Sequence, residues 1–181
     1  MSAGPGVSIR LVSAHDAARL SELETENREY LQAGGPVRSD HYVSVEGQRE
    51  LISGMLEAHR SGTCAPFVVE ADGAVVGRIL LAAIVRGGFQ SASVGYWVTE
   101  SMSGRGIASR ALQLLVDHAF GELGLHRLEA ATTLANAASA HILTRAGFEQ
   151  YAVARDYLWM GGRWVDHQLF QLLNGAWAEP A

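Results

Sequence analysis

A chain of 181 residues with 48% hydrophobic and 18% charged residues has the composition of a soluble globular domain large enough to bury its own core. Its formal charge of -5 excludes long-range attraction to nucleic acid or to an anionic membrane, so neither is expected as a direct partner. The lone cysteine, Cys64, excludes an intrachain disulfide and fits a reducing, cytoplasmic setting.

Met1 to Gly6 lacks the basic and apolar regions of a signal peptide and is expected to fray. Ile9 to Val12 reads as a short strand. Ser13 and Asp16 then form a candidate capping box, and helical spacing continues to about Leu31. Gly34-Gly35-Pro36 breaks that helix. A second helix is predicted over Val45–His59, with Ser61-Gly62 as its stop. Pro66–Glu70 and Val75–Ile84 form a hairpin about Asp72-Gly73, and Ser91–Thr99 follows the Arg86–Phe89 turn as the third strand of a meander. A long amphipathic helix runs from about Gly106 to Leu123. His126–Thr133 alternates as a strand, Asn136–Ala146 is a short helix ended by Gly147, and Gln150–Trp159 and Trp164–Leu172 form a hairpin about Gly161-Gly162. The segment after Asn174 is a poor structure former. The order β-α-α-β-β-β-α-β-α-β-β implies an α+β (mixed α/β) fold in one domain over residues 1–181, with its core at about 8–173 and short flexible tails.

The organising stretch is Val94 to Phe120: a strand, a glycine turn, then the long helix. Such a turn presents unpaired backbone N–H groups at the positive end of a helix dipole, which suits a phosphate. A Walker loop needs Lys-Ser/Thr after its last glycine, and Ile107-Ala108 stands there. A dinucleotide fingerprint needs a third Gly or Ala where Ser109 sits, and it belongs after the first strand, whereas this turn lies past mid-chain. A plain structural turn, using glycine only for its dihedral angles, remains open on the turn alone.

The turn Ser103-Gly104-Arg105-Gly106-Ile107-Ala108 resembles the Q/R-x-x-G-x-G/A signature of the GNAT acetyltransferase superfamily, with Ser103 departing at the first position. Asn136-Ala137-Ala138-Ser139 through Arg145-Ala146-Gly147-Phe148 is similar to the family's N-x-x-S/A…GF segment. Glu26–Leu31, Gly124–Arg127, Arg155–Tyr157 and Gly162–His167 resemble the RimJ/RimL-type branch, which acetylates protein N-terminal amines, and within it the ribosomal-protein alanine N-acetyltransferase type.

The resemblance implies a mostly antiparallel sheet with one splayed parallel strand pair and helices on both faces. It implies acetyl-CoA as acyl donor, with no metal, and direct transfer to a primary amine. The acceptor would be a protein N-terminus, ribosomal proteins included. A small-molecule amine (antibiotic or polyamine) is the alternative acceptor, and a non-catalytic acyl-CoA-binding module is the alternative class. Ser103, Gly104, Arg105, Gly106, Ile107, Ala108 and Ser109 would hold the pyrophosphate. The main chain of Trp97, Val98 and Thr99 would meet the pantetheine, with a backbone N–H near Val98 polarising the thioester carbonyl. Many members carry a tyrosine seven residues after the asparagine. Leu143 stands there, so Ser139 is expected to donate to the sulfur, with Asn136 beside it. Glu129 and Glu100 are the candidate bases, Asp156 a third. Asn27, Tyr30 and Arg86 would contact the acceptor. A monomer or a homodimer fits equally.

Overall fold

The computed structural model describes residues 6–179. The fraying expected at the extreme ends therefore falls largely on residues 1–5 and 180–181, outside the described part. Seven strands form one sheet: β1 (Val7–Leu11), β2 (Ala65–Ala71), β3 (Ala74–Val85), β4 (Ser91–Val98), β5 (Arg127–Thr133), β6 (Glu149–Met160) and β7 (Arg163–Leu173). Their spatial order is β1-β2-β3-β4-β5-β7-β6, antiparallel throughout except for β4 against β5. The helices are α1 (Ala17–Glu26), α2 (Arg28–Gly34), α3 (Asp40–Val43), α4 (Val45–Arg60), α5 (Ile107–Asp117) and α6 (Ala137–Arg145). This is the mixed α/β fold read from the residues.

Each face of the sheet is covered by helices whose apolar spacing dictates the contact. On one face, Ile107, Ala111, Leu112 and Leu115 of α5 and Leu143 of α6 pack on Ile79, Leu81, Val94 and Leu128. Leu112 and Leu115 are fully buried, each stabilising the fold by about 1.5–3 kcal/mol. On the other face, Leu20 of α1 and Ile52 of α4 pack on Val68, with Trp97 against the same cluster. Cys64 is buried too, and burial pushes its thiol up, away from the reactive thiolate.

The parallel pair β4–β5 is incomplete. Registers run only from Ser91↔Arg127 to Ser93↔Glu129. Beyond that point β4 stays with β3 as far as Val98↔Gly77, while β5 stays with β7 as far as Thr133↔His167. A wedge therefore opens between Val94–Val98 and Ala130–Thr133, at the end of the sheet where α5 begins. The β6–β7 hairpin continues past the end of β5, pairing Trp159 with Trp164 and Met160 with Arg163.

Three local features depart from the sequence expectation. The first predicted helix divides at Asn27, whose side chain donates to the Leu23 carbonyl (2.8 Å) and accepts from the Glu100 backbone N–H (2.9 Å). Helix α3 was not expected, because four residues are too few to show a period; Ser39 caps it by accepting from Tyr42 N–H. The stretch Asn174–Trp177 is held by hydrogen bonds rather than loose. Asn174 donates to the Leu125 carbonyl, and the Trp177 indole donates to the Gly124 carbonyl at 3.0 Å.

A buried charge cluster ties α1, the loop after α2, and β3 together. Glu24, with no exposed surface, lies 2.7 Å from Arg38 Nε and 3.8 Å from Arg78 Nη2. Desolvation pushes the Glu24 carboxyl up, and the charges of Arg38 and Arg78 pull it back. Arg78 also donates to the Tyr42 hydroxyl at 2.7 Å, and Gln48 donates to the Tyr42 carbonyl at 2.8 Å, which joins α3 and α4 to the cluster. Glu24→Ala would leave two buried guanidinium groups without a counter-charge. It is expected to lower unfolding free energy by about 3–5 kcal/mol, measured by chemical denaturation; a loss below about 1 kcal/mol would show that the cluster is not a keystone.

Candidate active site

The turn into α5 is built on two glycines with positive φ, Gly104 at 71° and Gly106 at 78°. Gly106 is the N-cap, so no side chain caps the helix. The first helical bond is Arg110 N–H to the Gly106 carbonyl (3.0 Å), and the N–H groups of Ile107, Ala108 and Ser109 find no acceptor among the described residues. Nothing lies within 4 Å of where a Cβ would project from Gly104 or Gly106, so the turn is open. Its charge is unbalanced. The first turn of α5 holds no acidic residue, and neither Arg105 nor Arg110 forms an ion pair among the described residues. Cations at the positive end of a helix are unfavourable by themselves, so the arrangement suits an anionic guest.

The wedge brings a second set of unpaired groups to the same end of the sheet. Thr99 N–H donates to the Val76 carbonyl at 2.9 Å, which points it toward β3. Strand alternation then turns Trp97 the same way; its carbonyl is the atom that a Cβ on Gly77 would meet at 2.2 Å. Tyr96 and Val98 consequently present their backbone groups to the wedge. Of the three main-chain contacts expected here, Val98 is placed for one. Trp97 and Thr99 face away from the wedge, because antiparallel pairing with β3 takes every second residue. On the opposite lip, the buried hydroxyls of Thr132 and Thr133 have no partner among the described residues.

Asn136 and Ser139 stand at the start of α6, just past the end of β5. Asn136 is the N-cap, its side-chain oxygen accepting from Ser139 N–H at 3.1 Å. A Cβ on Gly34 would lie 2.8 Å from the Asn136 Nδ2, so the end of α2 closes directly over this cap. The Ser139 hydroxyl is 3.0 Å from the Tyr96 hydroxyl, which reaches it from β4 across the wedge. Burial pushes the Tyr96 phenol up from its ordinary value, against the opposing pull of its hydrogen bond to Ser139. Sequence reasoning passed over Tyr96. The signal available was its alternation onto the core face of the strand that precedes the turn, where a phenol needs a polar partner.

The remaining predicted residues separate. Ser103 lies at the turn, with its hydroxyl 3.4 Å from that of Tyr30 on α2, so Tyr30 stands at the glycine turn. Asn27 is not free for an acceptor. Both ends of its amide are engaged inside the fold, where it braces α1 against the end of β4. Arg86 is at the far end of β4 from the turn, donating to the Leu123 carbonyl at 2.6 Å, and so does not join the others. Glu129 sits at the root of the wedge opposite Ser93, its carboxylate accepting from Arg127 at 2.8 Å and 3.0 Å. Glu100 begins the short turn after β4 with an exposed side chain. Asp156 lies on the β6–β7 hairpin with φ 51°, its N–H bound by Asp166.

Residues 7–149 match the acetyltransferase (GNAT) domain family. The chain belongs to the GNAT acetyltransferases. Its chemistry is acyl transfer. A probable N-acetyltransferase of Bacillus subtilis, YjcK, is 35% identical to it over 176 residues, covering 96% of this chain and 97% of that protein. The ribosomal protein uS5 alanine N-acetyltransferase of Escherichia coli is 30% identical over 171 residues, covering 93% and 88%. Among solved structures, Mycobacterium smegmatis RimJ in complex with CoA-disulfide superposes on this GNAT fold with a TM-score of 0.89 at 33% identity, covering 92% of this chain and 81% of that one.

Gly106→Ala tests whether the turn depends on its left-handed cap. A non-glycine residue at φ 78° is expected to cost about 1–2 kcal/mol of unfolding free energy. It should also weaken binding of inorganic pyrophosphate, measured by calorimetry. A variant equal to the parent in both would show that the cap conformation is dispensable.

Proposed function

We propose that this protein transfers the acetyl group of acetyl-CoA directly to a primary amine, and that the amine is a protein N-terminus of the ribosomal-protein alanine type. The observation that carries the reading is the uncapped turn with three open amides and two unpaired arginines, set beside a wedge in the sheet. The pyrophosphate of coenzyme A matches the turn in charge, with Ser103, Gly104, Gly106 and the amides of Ile107, Ala108 and Ser109 around it and Arg105 as an adjacent cation. The pantetheine arm matches the wedge, because its amides pair with strand backbone, for which Tyr96 and Val98 are open.

The reaction forms a C–N bond as the C–S bond breaks, and the electron pair leaves with sulfur. The Val98 N–H is the donor for the thioester oxygen as charge develops there. The Ser139 hydroxyl donates to the departing sulfur, and Asn136 holds the serine in place through its backbone N–H. A protein α-amine has an ordinary pKa of about 7.7–8.0, so a useful fraction arrives neutral near pH 7. Glu100, exposed near the open end of the wedge, takes up the proton that the nitrogen sheds, through water. The alanine-type acceptor is favoured by the near full-length similarity to the uS5 alanine enzyme.

A thiol-release assay with acetyl-CoA against N-terminal peptides, lysine peptides and small amines tests the reading. Peptides with a free N-terminal alanine are expected to be the best acceptors. Turnover confined to small amines would overturn the acceptor assignment, and no turnover with any amine would overturn the reading itself. Ser139→Ala should lower kcat at saturating acetyl-CoA by about 10–100-fold, the worth of one hydrogen bond to a developing charge. An unchanged kcat would remove the serine from the mechanism.

A further inference from the structure

The hydroxyl-to-hydroxyl contact between Tyr96 and Ser139 has a consequence for proton placement. A serine hydroxyl has one proton and two lone pairs, and it rotates to suit its neighbours. Its backbone N–H is already fixed on Asn136. If the serine proton pointed at Tyr96, the serine would meet an incoming sulfur with lone pairs only. If the phenol donates instead, the serine lone pair is satisfied and its proton is free to face the wedge.

We infer that Tyr96 is a positioning residue for acyl transfer: its phenol donates to Ser139 Oγ at 3.0 Å and thereby orients the serine proton into the wedge. Several observations agree. Tyr96 belongs to β4 within Val94–Val98, the length that has lost its β5 partner, so its ring stands at the wedge. Its hydroxyl is also 3.4 Å from the Ser139 carbonyl, a pure acceptor, which competes for the single phenol proton at longer range than Ser139 Oγ at 3.0 Å. Ser139 is half-buried, which leaves it reachable from the wedge, while the phenol behind it is held in its protonated form by burial. No proton need leave Tyr96. The phenol keeps its proton throughout, the serine hydroxyl hydrogen-bonds the sulfur as the C–S bond breaks, and the proton that neutralises the thiolate is the one the nitrogen sheds on acylation, passed on from Glu100 through water.

This inference rests on the acyl-transfer reading above, and a double-mutant cycle at saturating acceptor separates the two. Tyr96→Phe keeps the ring and removes only the hydroxyl. It is expected to lower kcat about three- to tenfold, leaving KM for acetyl-CoA within about twofold of the parent. In a Ser139→Ala background the same change should have no further effect, because Tyr96 acts only through the serine. In a Ser139→Thr background, which retains the hydroxyl, the effect of Tyr96→Phe should return. A kcat for Tyr96→Phe equal to the parent would overturn the inference. So would a loss of equal size with and without the serine hydroxyl, which would make the tyrosine a structural or independent contributor. Melting temperatures of all variants separate loss of fold from loss of rate. Absence of turnover by the parent would reject the acyl-transfer reading and this inference with it.

Discussion

The site exists because β4 and β5 stop pairing after three residues. A parallel pair that ran its full length would satisfy the backbone of Tyr96 and Val98 inside the sheet and leave only a capless helix at its end. By parting at Ser93 and Glu129, the sheet leaves strand backbone unpaired at the end where α5 begins. Unpaired backbone within a fold is costly unless water or a guest meets it. The wedge and the glycine turn are thus two parts of one deficit, one neutral and linear, the other positively charged. A long molecule with an amide-bearing arm and an anionic head matches both.

Keeping the wedge open requires that each lip be held from outside. The β4 lip is held by β3 and by Asn27, which fixes the Glu100 N–H immediately beyond the strand. Asn27 is placed in turn by α1, and α1 is anchored by the buried Glu24 between Arg38 and Arg78. The β5 lip is held by β7 and by α6, whose cap is roofed by Gly34. The α1–α2 segment therefore reaches both lips. Between the lips, on the α5–α6 face, the Tyr96–Ser139 hydrogen bond joins β4 to α6. A charge cluster distant in sequence is in this way joined to both lips of the wedge.

Much of the fold was legible in the residues because period and punctuation agree along the chain. The Asp72-Gly73 and Gly161-Gly162 turns and the alternation of β5 place their elements within a residue or two, and the helix predicted to Leu123 is regular to Asp117 and continues as a π-helical turn over His118–Glu122. The wedge was not legible from any local pattern. Strand pairing is decided between segments, and β4 reads the same whether its neighbour stays or leaves; only the family resemblance supplied the splay. The site residues divide on the same line. Gly106 and Asn136 carry local signals, a turn and a helix cap, whereas Ser139 was singled out by the family resemblance. Asn27 and Arg86 were assigned to the acceptor by the family resemblance, and both are engaged by distant backbone, Glu100 N–H and the Leu123 carbonyl, which no local reading could foresee. Tyr96 was missed for the complementary reason. A tyrosine in a strand usually reads as core, and its meaning here comes from the serine that a different element brings to its hydroxyl.

The claim that one guest fills both deficits can be tested residue by residue with backbone amide hydrogen exchange, measured with and without coenzyme A. Coenzyme A is expected to slow exchange at Tyr96 and Val98 and at Ile107, Ala108 and Ser109, while Trp97 and Thr99, already turned to β3, change little. Binding of coenzyme A that leaves the Tyr96, Val98 and helix-start amides exchanging as before, or that protects a different part of the sheet, would contradict that claim.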